Sequence, residues 1–240
     1  MSIYMMMTIT KRSIGRRLDA IYERNGLSAT FGMLAKGTAN SEMLDFLGME
    51  VTEKLVMMSV VTDDMWKTVK KDLEKEIQID VPGTGIAFLM PLSSIGGKKV
   101  LQFLINGQKF EEEESVMKNT VYELIVVIAN HGHSEEIMDA AREMGAGGGT
   151  VIHAKGTGLE KAEKFLGVSI VNEKEIIFIV AKSADKNGIM KSIMQKTERS
   201  KIRCILHTSN RYGRITFTRN TIIGNKNKTY SMLLGRVSLI

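Results

Sequence analysis

Residues 32–48 read GMLAKGTANSEMLDFLG, and residues 151–167 read VIHAKGTGLEKAEKFLG. In both, Ala-Lys-Gly-Thr is followed after seven residues by Phe-Leu-Gly, and the blocks stand 119 positions apart. Two short matches held at one spacing point to an internal duplication of a whole supersecondary unit. The 240-residue chain then divides into two units of about 100–120 residues, a common domain size.

The elements around each block agree. Each half reads as strand, helix, strand, strand, helix, strand. In the first, IYMMMTIT (3–10) is an apolar run of strand length. Ile14, Leu18 and Ile21 then recur at helical spacing as far as Asn25-Gly26, a pair suited to a left-handed helix end. LSATFGMLA (27–35) and LVMMSVV (55–61) follow as strands. Trp66, Val69, Leu73 and Ile77 mark a second helix, and GIAFLMPL (85–92) a fourth strand. In the second half YELIVVIA (122–129) is a strand, and Ser134 is an expected N-cap with Glu135 and Glu136 behind it. Ile137, Ala141 and Met144 carry that helix to the glycines of GAGGG. GTVIHA (149–154) and EIIFIVA (175–181) are strands, Ile189, Ile193 and Lys196 lie on a helix, and KIRCILH (201–207) supplies a last strand.

Two such copies predict an α+β fold of tandem ferredoxin-like (βαββαβ) units, with antiparallel sheets and helices on one face. The strands add a condition. IYMMM, LIVVIA and IIFIVA are apolar on both faces, whereas a half-exposed antiparallel strand alternates. The face without helices must meet a second sheet, from the sister unit or from another chain. Self-association is therefore expected.

Composition narrows the function classes. With 43% hydrophobic and 25% charged residues the chain has an ordinary globular make-up. The single cysteine, Cys204, excludes an intramolecular disulfide and a multi-cysteine zinc cage, which fits a reducing cytoplasm. No apolar run approaches the roughly 20 residues of a membrane span, and no export signal is read at the start. The net charge of +6 is local: nine Lys or Arg and no acid follow from Arg199, while residues 1–198 hold 24 basic and 27 acidic groups. A nucleic-acid partner is not expected, since a basic surface across the fold is missing.

Gly83-Thr84-Gly85 is the first candidate for chemistry. Glycines let successive backbone N–H groups converge on an anion without Cβ obstruction, so the loop could cradle phosphate. It would equally serve as a tight turn from helix to strand. The matching stretch of the second copy, KTERSKIRC (196–204), has no glycine pair. His131-Gly-His133 invites a metal reading, but no Cys or carboxylate completes a ligand set at recognisable spacing, and His153 and His207 stand alone. No metal site is expected. No Ser/His/Asp set, carboxylate pair or P-loop emerges either, so catalytic residues are not expected and the chain is read as a non-enzyme.

VPGTGIAFLMPL (81–92) and GAGGGTVIHAKGTG (145–158), set in this element order, resemble the nitrogen-regulatory PII signalling proteins. The resemblance spans residues 1 to about 200. It implies a trimer-forming fold, binding of ATP or ADP in clefts between subunits, and loops that carry a nitrogen, carbon or energy signal to a regulated protein partner. By the same resemblance Lys36-Gly37-Thr38 and Lys155-Gly156-Thr157 match the base of the family's long T-loop, where a lysine could pair with phosphate. Departures are clear. Ala35 and Ala154 stand where 2-oxoglutarate-sensing members carry glutamine, the 38–53 loop is short and lacks tyrosine, and only Lys98 and Lys99 stand near the family's arginine pair.

The expected organisation is a first PII-like domain (1–100), an acidic linker (101–119), a second PII-like domain (120–208) and a basic extension (209–240). The expected function is a nucleotide sensor acting on a partner in nitrogen metabolism through its 36–53 and 155–174 loops. Its candidate ligand residues are Gly83, Thr84, Gly85, Lys36, Gly37, Thr38, Lys155, Gly156 and Thr157. The alternatives are a ligand-free scaffold of the same fold and a metal-homeostasis protein using His131 and His133.

Overall fold

The computed structural model describes residues 3–27, 29–37, 53–81, 83–107, 121–157, 173–197 and 204–208. Strands β1 (Ile3–Lys11), β2 (Thr30–Lys36), β3 (Glu53–Thr62) and β4 (Gly85–Ile95) come from the first half. Strands β5 (Tyr122–Asn130), β6 (Thr150–Thr157), β7 (Glu173–Lys182) and β8 (Cys204–Thr208) come from the second. Among the described residues five α-helices accompany them: α1 (Gly15–Arg24), α2 (Asp63–Asp72), α3 (Lys98–Leu104), α4 (Ser134–Arg142) and α5 (Lys186–Lys196).

The eight strands close one antiparallel barrel in the order β1-β3-β2-β6-β7-β5-β8-β4. Within it each half keeps the ferredoxin-like order fourth, first, third, second. The halves are not separate sheets. β2 joins β6 through Thr30–Gly32 against Thr157–Lys155, and β4 joins β8 through Leu92–Ile95 against Thr208–Leu206.

This closure accounts for strands apolar on both faces. Alternate residues of one strand serve two cores. Met5, Val60, Val126 and Ile176 belong to a cluster shared by both halves on the barrel's inner side. Their neighbours Met6 and Val61 pack with α1 and α2, while Val127 and Ile177 pack with α4 and α5. The second apolar layer thus comes from the sister half, and these strands place no demand on a second copy of the chain.

Local signals position the helices as the spacing predicts. α1 ends in a Schellman motif: Leu27 N–H donates to Tyr22 O and Gly26 N–H to Glu23 O, with Gly26 at φ +73°. α2 starts on the side chain of Thr62, which accepts from Met65 N–H, and its last turn widens to a π turn over Leu73–Ile77. The stretch expected as an acidic linker differs in its first part. Residues 101–107 complete α3 and its end, and Leu104 and Ile105 are buried in the shared inner cluster. Apolar spacing there was masked in the sequence by the adjoining acid run. The rest of that stretch, the 38–52 and 158–172 loops and the extension from 209 lie outside the described residues.

Candidate functional site

Register fixes where the candidate residues stand. Gly85 opposes Thr10, Thr10 opposes Leu55, and Leu55 opposes Leu34. The Gly83–Gly85 turn and Lys36 therefore lie at one end of the barrel, three strand spacings or roughly 14 Å apart. Lys36 is exposed and opposes Glu53, whose carboxylate accepts a hydrogen bond from Arg12 at 2.6 Å. Gly37 follows Lys36 at the same end, and Thr38 lies outside the described residues.

The turn itself is built in steps. The π turn stops at Gln78, in left-handed conformation at φ 57°. Val81 N–H returns to Gln78 O at 2.9 Å and Thr84 N–H to Val81 O at 3.2 Å. Gly83 is exposed at φ +87°, a conformation natural to glycine. Gly85 has a different reason to lack a side chain: a Cβ there would stand 2.5 Å from Ile9 O. So the turn presents Gly83 outward, holds Thr84 N–H within itself, and uses Gly85 to seat β4 against β1.

Lys155, Gly156 and Thr157 lie at the opposite barrel end. They are strand residues paired with Gly32, Phe31 and Thr30, and they form the β2–β6 seam. Gly156 is buried and Lys155 exposed. Ala154 belongs to the inner cluster, which explains an alanine there: glutamine would carry an amide into apolar packing. The second lysine therefore does not converge on the Gly83–Gly85 turn of the same chain.

A group of residues that the sequence reading left apart meets near that end. His153 of β6 and Glu175 of β7 are directly opposed, and His131 lies in the turn after β5. His131 Nδ1 is 3.1 Å from Glu175 Oε1, and the rings of His131 and His153 have centroids 5.5 Å apart. Glu175 Oε2 accepts the N–H of Ser134 at 3.2 Å. Ser134 is accordingly the first residue of α4, with His133 at the N-cap and no capping side-chain bond from it. A carboxylate from β7 takes the role expected of the serine hydroxyl. His133 turns elsewhere, its Nδ1 lying 3.5 Å from Glu136. Spacing within one segment paired His131 with His133, whereas the strand register pairs His131 with His153 and Glu175. On the inner side, buried Lys174 donates to Asn130 Oδ1 at 2.6 Å.

Residues 122–215 match the family model described as nitrogen regulatory protein P-II. No curated protein sequence matches the chain. Among solved structures, one described as an unknown protein from Galdieria sulphuraria is 9% identical, with 87% of this chain and 98% of that chain covered and a TM-score of 0.27. A putative glycine cleavage system transcriptional repressor is 8% identical, covering 88% and 98%, at a TM-score of 0.25. A microcompartment protein from Desulfitobacterium hafniense DCB is also 8% identical, covering 88% and 97%, at 0.27. No helix among the described residues is long and apolar enough to cross a membrane.

Proposed function

We propose that this chain is a non-enzymatic regulatory protein of PII-like kind, with both halves derived from that unit. In this reading it binds ATP or ADP at the Gly83–Gly85 turn and alters its contacts with a protein partner in nitrogen metabolism. The match of residues 122–215 to the P-II family model carries it. The repeated strand order of the first half supports extending it to residues 1–100. The outward glycine at φ +87° and the exposed Lys36 at the same barrel end support the nucleotide site. A phosphate there would meet backbone N–H at Gly83 and a mobile point charge from the lysine. Differential affinity for two arrangements of the adjoining 36–53 loop would carry the signal.

Thermal unfolding with ATP, ADP and AMP tests the proposal. Nucleotide at about 100 times its Kd adds about 2.7 kcal/mol, which in a chain of this size raises the Tm by roughly 5–10 °C. Lys36→Ala and Gly83→Ala should lose most of that rise. No rise with any nucleotide refutes sensing, and a rise unchanged in both variants refutes the site. The engaged Thr84 N–H and the seam role of Gly156 favour a second reading, a scaffold without ligand, which the absence of any rise would select.

A further inference from the structure

We propose that His131, His153 and Glu175 form a binding site for a divalent transition metal of the zinc class, separate from the nucleotide site. Their three ligand atoms lie within 4.8 Å of one another, and they come from three different elements. Ligand atoms on a tetrahedral ion with bonds near 2.0–2.1 Å stand about 3.3 Å apart. The His131–Glu175 separation of 3.1 Å already matches one such edge. Closing the remaining edges takes about 1.5 Å at most from exposed imidazoles, within reach of rotamer adjustment.

The donor set selects the metal. Two imidazoles and one carboxylate suit zinc, cobalt or nickel, whereas calcium and magnesium take oxygen ligands. The surroundings suit a ligand too. Glu175 is buried, yet its other oxygen is fixed by Ser134 N–H at the start of α4, an arrangement that keeps the carboxylate aimed. Both histidines are exposed, which gives a path for entry and leaves a fourth position for water or an exchangeable ligand. The His153–Glu175 register pair is part of the strand ladder, so two of three donors are placed before metal arrives. Binding would tie the turn after β5 to the β6–β7 pair. Without metal, the same atoms make an ordinary histidine–carboxylate contact, and the experiment separates the two cases.

The full chain, freed of metal by chelator, is titrated with Co²⁺ while its visible absorption is followed, and then with Zn²⁺ in competition. One saturable equivalent per chain is expected, with absorption of a low-coordinate nitrogen–oxygen site that zinc abolishes. His131→Ala and His153→Ala, both at exposed positions, should each weaken binding at least about tenfold, as losses around metal sites do. His133→Ala should bind like the parent. No saturable binding, or binding that survives His153→Ala, overturns the site, and loss in His133→Ala while His153→Ala still binds overturns the ligand assignment. Glu175→Gln adds a check only if its circular dichroism matches the parent, because that side chain is buried. The exposed histidine variants decide the matter without it.

Discussion

Replacing Gly85 by alanine tests why the Gly-Thr-Gly turn has its second glycine. The new Cβ would meet Ile9 O at 2.5 Å, Ile79 Cδ1 at 2.9 Å and Thr10 Cγ2 at 2.9 Å. The two side-chain atoms can swing away. Ile9 O belongs to the β1 backbone, and Ile9 opposes Ile86 in the β1–β4 pairing, so relief requires the strands to part. Forcing one extra carbon into such a contact costs about 1–3 kcal/mol, and the stiffer unfolded chain of alanine offsets about 0.4–1 kcal/mol. The net cost is then about 0.6–2 kcal/mol, and at about 2–4 °C per kcal/mol for a chain of this size the Tm should fall by roughly 1–8 °C. For Gly83→Ala the expected cost of about 1–2 kcal/mol is conformational, from placing a Cβ at φ +87°. Melting both variants without ligand, by circular dichroism, gives the comparison. A Gly85→Ala Tm equal to or above the parent's would show that β4 does not need the gap. The consequence for nucleotide binding is direct: lost binding in Gly85→Ala alone reports displaced strands, and only Gly83→Ala addresses the ligand.

Two further outcomes follow from charges. Lys186 and Glu123 form an ion pair at 3.2 Å with side chains 6% and 2% exposed, so Glu123→Gln should lower stability by about 3–5 kcal/mol in urea unfolding, while Glu123→Leu/Lys186→Met together costs far less; a single-variant loss below about 1 kcal/mol refutes the pair's burial. Asp72 accepts from Arg24 and Asn25, and these bonds, Arg24 first, hold its carboxyl below the ordinary range. Its stabilisation is therefore present above the unfolded-state pKa and is lost as pH falls through the folded value. Asp72→Asn should melt slightly lower than the parent near neutral pH, and the gap should close in acid; a gap that widens in acid reverses the sign.

Much of the fold was legible because each element carried its own period or cap. Ile14, Leu18 and Ile21 marked a helix, Asn25-Gly26 its end, and the apolar runs marked a like order of strands in both halves. The doubly apolar strands also announced a second layer. What supplies that layer depends on which edges join, and edge pairing is a long-range property that composition does not encode. The candidate site divides in the same way. Gly83 and Gly85 stand two residues apart and were visible as a motif, but their different duties emerge only from φ at one and from Ile9 O at the other. His131 and His153 were invisible as partners because 22 residues and a helix separate them. A register places them together with Glu175, and no local spacing rule predicts that register.

Closure of the barrel also limits how a partner can be met. A free ferredoxin-like sheet exposes two edge strands, each a template for pairing with another chain. Here β2 is occupied by β6 and β4 by β8, so pairing between the halves consumes all four edges internally. Partner contact by strand addition would have to break a seam. Each seam has three opposed residue pairs, and the β2–β6 seam contains Gly156 and Gly32. The barrel ends and the helical faces remain. At one end stand Lys36 and the Gly83 turn, and near the other stand His131 and His153, so the two proposed ligand sites lie at separate ends of a single closed sheet. A signal passing between them would have to travel along the barrel's strands and shared core.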